Sequence, residues 1–211
     1  MAIPKNRQKI MDAALSLFNR DGLVNVRLQH ISDESIVSLG NISYHFRNKD
    51  AIVHAIWEQL KNQQRILLDS YRVAPLFEDT ERLMQHTFAL QQAYRFFYLD
   101  TLEIMRAYPD LQPEYRQQTQ WQVQQMLMSI QFNEARGAFM QEPEHGFYGY
   151  LAEQFWFNAD LWLYQQSIRQ MPLDHYPAFR QALWFLFVPL FSEMGKKEFA
   201  QLNALILEKI F

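Results

Sequence analysis

Val37 to Asp50 reads VSLGNISYHFRNKD, and the chain can be arranged around this stretch. Ser38 is a good helix N-cap, because its hydroxyl accepts a hydrogen bond from a free first-turn N–H. A short helix follows, with Ile42 and Phe46 four residues apart on one face. Arg47-Asn48 breaks the pattern. Asn48 can cap a second helix, and Asp50 stands where the helix dipole favours negative charge. Asn41, Ser43, Tyr44, His45, Arg47 and Lys49 form a polar outer face. A short helix with an apolar back and a front of hydrogen-bond donors suits a duplex groove.

Val26 to Ser35, VRLQHISDES, supplies the partner element. Val26, Ile31 and Val37 are its apolar positions. They mark a first helix of about two turns, followed by a tight turn at Ser35-Ile36-Val37. Two short helices joined by three or four residues make a helix-turn-helix. Periodicity alone leaves open the alternative of two ordinary bundle helices.

Ile31-Ser32, Val37-Ser38, Gly40-Asn41-Ile42, Tyr44-His45-Phe46 and Asn48-Lys49-Asp50 resemble the N-terminal signature of the tetracycline-repressor (TetR) family. Upstream, Ile10, Ala13-Ala14, Leu17-Phe18 and Gly22 match that family's first helix and its glycine stop. The resemblance spans Lys5 to Ile56. It implies an N-terminal three-helix domain with a helix-turn-helix, then a larger C-terminal helical domain for ligand binding and dimerisation. It also implies a two-fold dimer on a palindromic operator, released by a small molecule. Three positions depart from the family pattern. Arg27 stands where a capping Thr is usual, Ile36 where the turn usually has Gly, and Ser43 where Tyr is common. Gly suits a positive φ and Ile does not. Either this turn is strained or its geometry differs.

The side-chain chemistry assigns roles along the motif. Tyr44, His45 and Lys49 are expected on phosphates. Leu39, Gly40 and Asn41 are expected at base edges, where Asn41 can pair with adenine and Leu39 can meet a thymine methyl. Arg27, Gln29, Ser38 and Ser43 complete the expected DNA surface.

Composition agrees with a globular chain: 211 residues, 49% apolar and 20% charged. There is no cysteine, which excludes disulfides and zinc–thiolate sites and fits a reducing, cytoplasmic setting. The longest strongly apolar run, Ala182 to Phe191, is too short to span a bilayer, so no membrane partner is expected. The net charge of -3 conceals an asymmetry. Residues 1–49 carry seven basic against four acidic side chains, and the remainder carries the acidic excess. A basic segment on an acidic body is the footprint of a small DNA-binding module with a larger partner domain. We expect residues 1–50 to be that module, 51–72 a connector helix, and 51–211 the effector-binding and dimerisation domain.

Beyond residue 50 the pattern is helical throughout, with no strand-like alternation. Helices are expected at Gln8–Arg20, Asn48–Arg72, Asp79–Tyr108, Gln112–Arg136, Phe147–Gln170, Asp174–Met194 and Lys197–Phe211. Val73-Ala74-Pro75 should break the connector, Pro189 should kink its helix, and Gly195 should separate the last two. The run Ala182 to Phe191 is apolar all round, as expected of a helix covered on both sides. A homodimer interface is therefore expected at Leu183, Phe187, Phe191, Phe199, Leu202 and Ile206. An effector cavity is expected between the connector and the next three helices. Phe97, Trp121, Phe155 and Trp162 would form aromatic walls and Asn158 a polar handle, for an apolar or aromatic molecule. The competing expectation is that Asn158 bonds another helix in a solid core.

Other function classes find less support. There is no Ser/His/Asp order, HExxH motif, phosphate-cradling glycine loop or cysteine nucleophile. Six histidines lie without ligand spacing, and Glu142-Pro143-Glu144-His145 sits in a loop. No catalytic residue, metal site or cofactor is expected. The runner-up to a DNA-binding regulator is a helical dimeric interaction protein that has lost specific DNA binding.

Overall fold

A computed structural model describes residues 5–70 and 75–208. The expected connector end at Arg72, the break at Val73-Ala74, and Ile210 lie outside the described residues. The all-α expectation holds: among the described residues the only β feature is one isolated bridge between Phe139 and Phe191.

The helices are α1 (Lys5–Asp21), α2 (Leu28–Ser35), α3 (Leu39–His45), α4 (Lys49–Ser70), α5 (Phe77–Ala93), α6 (Arg95–Leu99), α7 (Thr101–Ala107), α8 (Gln112–Ala135), α9 (Phe147–Ile168), α10 (Tyr176–Phe187) and α11 (Glu193–Glu208). Short 3-10 turns occupy Pro109–Leu111 and Val188–Leu190. The helix expected over Asp79–Tyr108 is thus three helices. The breaks at Tyr94 and Asp100 let the chain turn around the first core. Asn19 of α1 stabilises the first break: its Nδ2 donates to the Ala93 carbonyl at 2.7 Å and its Oδ1 accepts from the Phe96 N–H at 3.0 Å. Near Pro189 the helix ends at Phe187 instead of kinking, because proline supplies no N–H to continue the ladder.

Two hydrophobic cores organise the molecule. The first gathers Ile10, Ala14, Leu17 and Phe18 of α1 with Ile31, Ile42 and Phe46 of the next two helices, and Ile52, Ile56 and Leu60 of α4. It continues into α6 and α7 through Phe96, Phe97 and Ile104. Phe18 meets Phe96 at 5.3 Å, and Trp57 stacks on Phe97 at 5.2 Å. The recognition module therefore shares its core with the first helices of the larger half.

The second core joins α5, α8, α9, α10 and α11 around Phe77, Phe139, Phe155, Phe179, Trp184 and Phe187. Glu81 lies inside it. Its carboxylate accepts from the Tyr176 hydroxyl, Arg180 Nε and Trp184 Nε1 at 2.6–2.8 Å, so the buried charge is paired and bonded. Gly195 lies within α11 instead of separating two helices. A Cβ there would sit 2.1 Å from the Ala138 carbonyl oxygen, so glycine permits the helix to close on the 136–146 loop.

Candidate nucleic-acid interface and effector cavity

The recognition element follows from local capping. Arg27 stands at the N-cap of α2 without a side-chain capping bond, and His30 takes over part of the task. His30 Nδ1 accepts from the Arg27 N–H at 3.3 Å, the reciprocal half of a capping box. The turn after α2 uses Ile36 at φ 54° and ψ 38°, in the left-handed region. Of the two geometries left open, the turn keeps the glycine-like one, with Ile36 92% exposed and held only by its backbone. The Ile36 and Val37 N–H groups both bond to the Ser32 carbonyl, and the Ser32 hydroxyl donates to the Val37 carbonyl at 2.8 Å.

Ser38 caps α3 as expected, its hydroxyl accepting from the Asn41 N–H at 3.3 Å. Ile42 is fully buried behind the helix. Leu39, Gly40, Ser43 and Tyr44 are exposed in front, and Asn41 and His45 are half-buried. Tyr44 is 84% exposed and meets the His45 ring edge-on at 5.1 Å. Arg27, Gln29 and Ser38 are exposed on the adjoining surface, as are Lys5, Lys9 and Arg47. Asn48 caps α4 by accepting from the Ala51 N–H at 2.9 Å.

Lys49 is placed differently from expectation. Its ammonium donates to the Leu23 and Val26 carbonyls, each at 3.0 Å. It ties the start of α4 to the α1–α2 loop. Arg20 is likewise occupied, by Asp21 at 3.0 Å.

The five residues expected around an effector do not share a cavity. Phe97 belongs to the first core. Phe155 belongs to the second, stacked on Phe187 at 5.6 Å. Trp162 packs edge-on against Phe179 at 5.7 Å. Trp121 borders a separate recess with Lys61, Arg65 and Glu114. Asn158 is exposed and donates to the Gln154 carbonyl of its own helix at 2.7 Å.

A partly open cavity of about 480 Å³ lies elsewhere, between the C-terminal end of α4, the start of α5 and the middle of α8. Leu68, Leu83, Met126 and Phe132 line it, with Thr80 and Ser129 as polar groups. The sequence hid it because α8 buries Gln118, Gln122, Met126, Ile130 and Asn133. These are spaced as one helical face, yet three of the five are amides, so no continuous apolar stripe is legible.

The expected dimer residues also move. Leu183, Phe187, Phe191 and Leu202 are buried in the chain's own core. Phe199 meets Trp184 at 4.9 Å with the rings tilted, and Ile206 packs against the same core. The inner side of the apolar run packs against α5, α9, α11 and Phe139 of the same chain, while Phe185 on its outer side is exposed. Exposed apolar side chains appear instead on the outer faces of α9 and α10: Tyr150, Phe157, Tyr164 and Ile168, and Phe185.

Two family models match. The one for bacterial regulatory proteins of the tetR family covers residues 10–56. The one for bacterial transcriptional repressors of the TetR type covers residues 59–199, two-thirds of the chain. The chain belongs to the TetR family of transcriptional regulators. Its members are DNA-binding regulators with ligand-binding C-terminal domains. The fold is similar to that of a TetR-family transcriptional regulator from Marinobacter aquaeolei VT8, at 24% identity and TM-score 0.84 over 94% of this chain and 97% of that one. It is also similar to a gamma-butyrolactone receptor, at 16% identity and TM-score 0.70 over 97% and 98%. The SmeT–triclosan complex aligns at 19% identity and TM-score 0.62 over 90% and 93%. A search of curated proteins finds no match. Among the described residues no helix is long and apolar enough to cross a membrane, and no metal-ligating cluster occurs.

Proposed function

We propose that this TetR-family chain is a repressor that binds a palindromic operator as a homodimer and leaves it when a small apolar or aromatic molecule fills the α4–α5–α8 cavity. One observation carries this reading. The connector α4 begins at Lys49, bonded into the recognition module, and ends beside the cavity at Leu68. A ligand that favours one position of α4 therefore changes the placement of α3. It does so only by its differential affinity for the two arrangements.

The contact set follows from exposure. Leu39, Gly40 and Asn41 approach base edges, and Tyr44, His45, Arg27 and the exposed Lys5, Lys9 and Arg47 approach phosphates. Lys49 acts as a positioning residue. Ile36 and Arg27, the departures that favoured a chain without DNA binding, are absorbed by a preserved turn and by His30.

The dimer forms through the outer faces of α9 and α10. Tyr150, Phe157, Tyr164 and Ile168 recur at spacings of seven, seven and four, one face of a helix. Phe185 lies on the adjoining helix. Two such pairs make a four-helix interface with the two recognition helices at its far ends. The cavity is mostly apolar and moderate in volume. The triclosan complex and gamma-butyrolactone receptor among the structural relatives accord with a small organic effector.

The test is selection from a pool of random duplexes followed by sequencing of the bound fraction. An inverted repeat should emerge, with half-sites about one helical turn apart (~34 Å), and Tyr44→Ala should weaken its capture. A pool that stays unenriched favours the helical interaction protein.

A further inference from the structure

One turn into α4, His54 reaches across to the 3-10 turn that precedes α8. Its Nδ1 lies 2.7 Å from the Asp50 carbonyl oxygen, and its Nε2 lies 2.7 Å from Asp110 Oδ2. Both partners are acceptors. A peptide carbonyl has no proton to give, and the contact with His54 holds the Asp110 carboxyl below its usual range. Neutral imidazole carries a single N–H, so it can make one of these bonds and must set a lone pair against the other. Only the imidazolium donates to both. Tyr108 adds a second tie: its hydroxyl donates to Asp50 Oδ1 at 3.0 Å, and its ring meets His54 edge-on at 5.6 Å.

The charged and titratable groups facing His54 are therefore Asp50 on its own helix, with Tyr108 and Asp110 across the gap. The next carboxylate in that segment, Glu114, is held by Lys61 at 2.7 Å and Trp57 Nε1 at 2.9 Å and does not compete. Burial pulls the His54 pKa down, but the hydrogen bonds to Asp110 and to the Asp50 carbonyl outweigh it, and the net shift is upward. A histidine pKa raised by folding contributes stability that is complete below the unfolded value of about 6.5 and is lost as pH rises through the folded value.

We propose that His54 is a proton-operated clasp joining the connector helix to the Tyr108–Leu111 turn, so that loss of one proton loosens the α7–α8 junction against the root of the recognition module. The charged clasp holds the turn and α4 as one body. The neutral clasp keeps the bond to one acceptor and repels the other. Because α4 carries the recognition helix at this same end, proton release enters the equilibrium that a cavity ligand would bias from the other end, and it requires no ligand.

The test uses the full chain without DNA. The His54 ring should titrate above 6.5 by NMR, and its pKa should fall in Asp110→Asn. Amide exchange in residues 108–111, corrected for intrinsic base catalysis, should quicken between pH 6 and pH 8.5. The increase should be about tenfold for each unit by which the clasp raises the pKa. His54→Gln, which cannot change charge, should show no such pH dependence. Asp160, whose carboxyl burial raises to about 7, titrates in the same window, but it is present in both proteins and cancels in the comparison. An unshifted His54, or equal pH dependence in wild type and His54→Gln, overturns the clasp.

Discussion

The recognition module and the helices around the second core obey opposite rules. In the module, core positions are apolar, and polar side chains either cap a backbone group or face water. In the second half, Glu81, Gln91, Gln118, Gln122 and Asn133 are buried, while Phe157, Tyr164, Ile168 and Phe185 are exposed. A surface helix normally places its apolar stripe inward. On the proposed reading, the inversion is where the second half meets a second chain outside and a ligand inside. The module needs no such partner to fold, and its function lies in the polar face it presents.

The sharpest way to break this contrast is to place a charge on each side of the second half. Phe187 is 2% exposed and Phe157 is 60% exposed. Phe187→Asp should cost about 4 kcal/mol or more and leave the chain unfolded or insoluble. Phe157→Glu should leave the melting temperature of the isolated chain nearly unchanged and yield monomers in sedimentation. If Phe157→Glu sediments as a dimer, the exposed stripe is only surface.

Lys49→Ala sharpens the contrast inside the module. Losing two charge-assisted hydrogen bonds to buried-side carbonyls should cost about 1–3 kcal/mol in thermal or denaturant melts. Operator affinity should fall through stability while the salt slope stays put. A slope smaller by about one per subunit would return Lys49 to the phosphates.

Ile36→Gly should have the smallest effect and the opposite sign. The left-handed backbone costs a non-glycine residue about 1–2 kcal/mol, and glycine's greater unfolded entropy offsets about 0.4–1 kcal/mol of the relief. The side chain is exposed and loses little contact. A net gain of several tenths of a kcal/mol should appear as a higher melting temperature. A lower one would mean that the isoleucine side chain holds the turn.

The helix-turn-helix was legible because its information is local. Ser38 and Asn48 cap within three residues, and Ile42 and Phe46 define one face. The tie that Lys49 makes was not legible because its partners, Leu23 and Val26, are more than twenty residues away. Asn158 was misplaced because α9 is apolar on two faces, one for the core and one outward, so no stripe identifies the inner one. The cavity was not legible because the inner face of α8 mixes Gln118, Gln122 and Asn133 with Met126 and Ile130, so the sequence does not show which side of α8 faces inward. The run 182–191 is covered on one side by α5, α9 and α11 of the same chain, and its outer side leaves Phe185 exposed.

In the proposed dimer, the apolar face of α9–α10 pairs two chains so that two α3 faces meet two half-sites. The direct measurement is binding of wild type and Phe157→Glu to the selected inverted repeat and to a single half-site duplex, at equal salt. Wild type should bind the full repeat with two chains per duplex and prefer it over the half-site by orders of magnitude. Phe157→Glu should bind both duplexes equally weakly. A Phe157→Glu protein that keeps the wild-type preference would contradict the account.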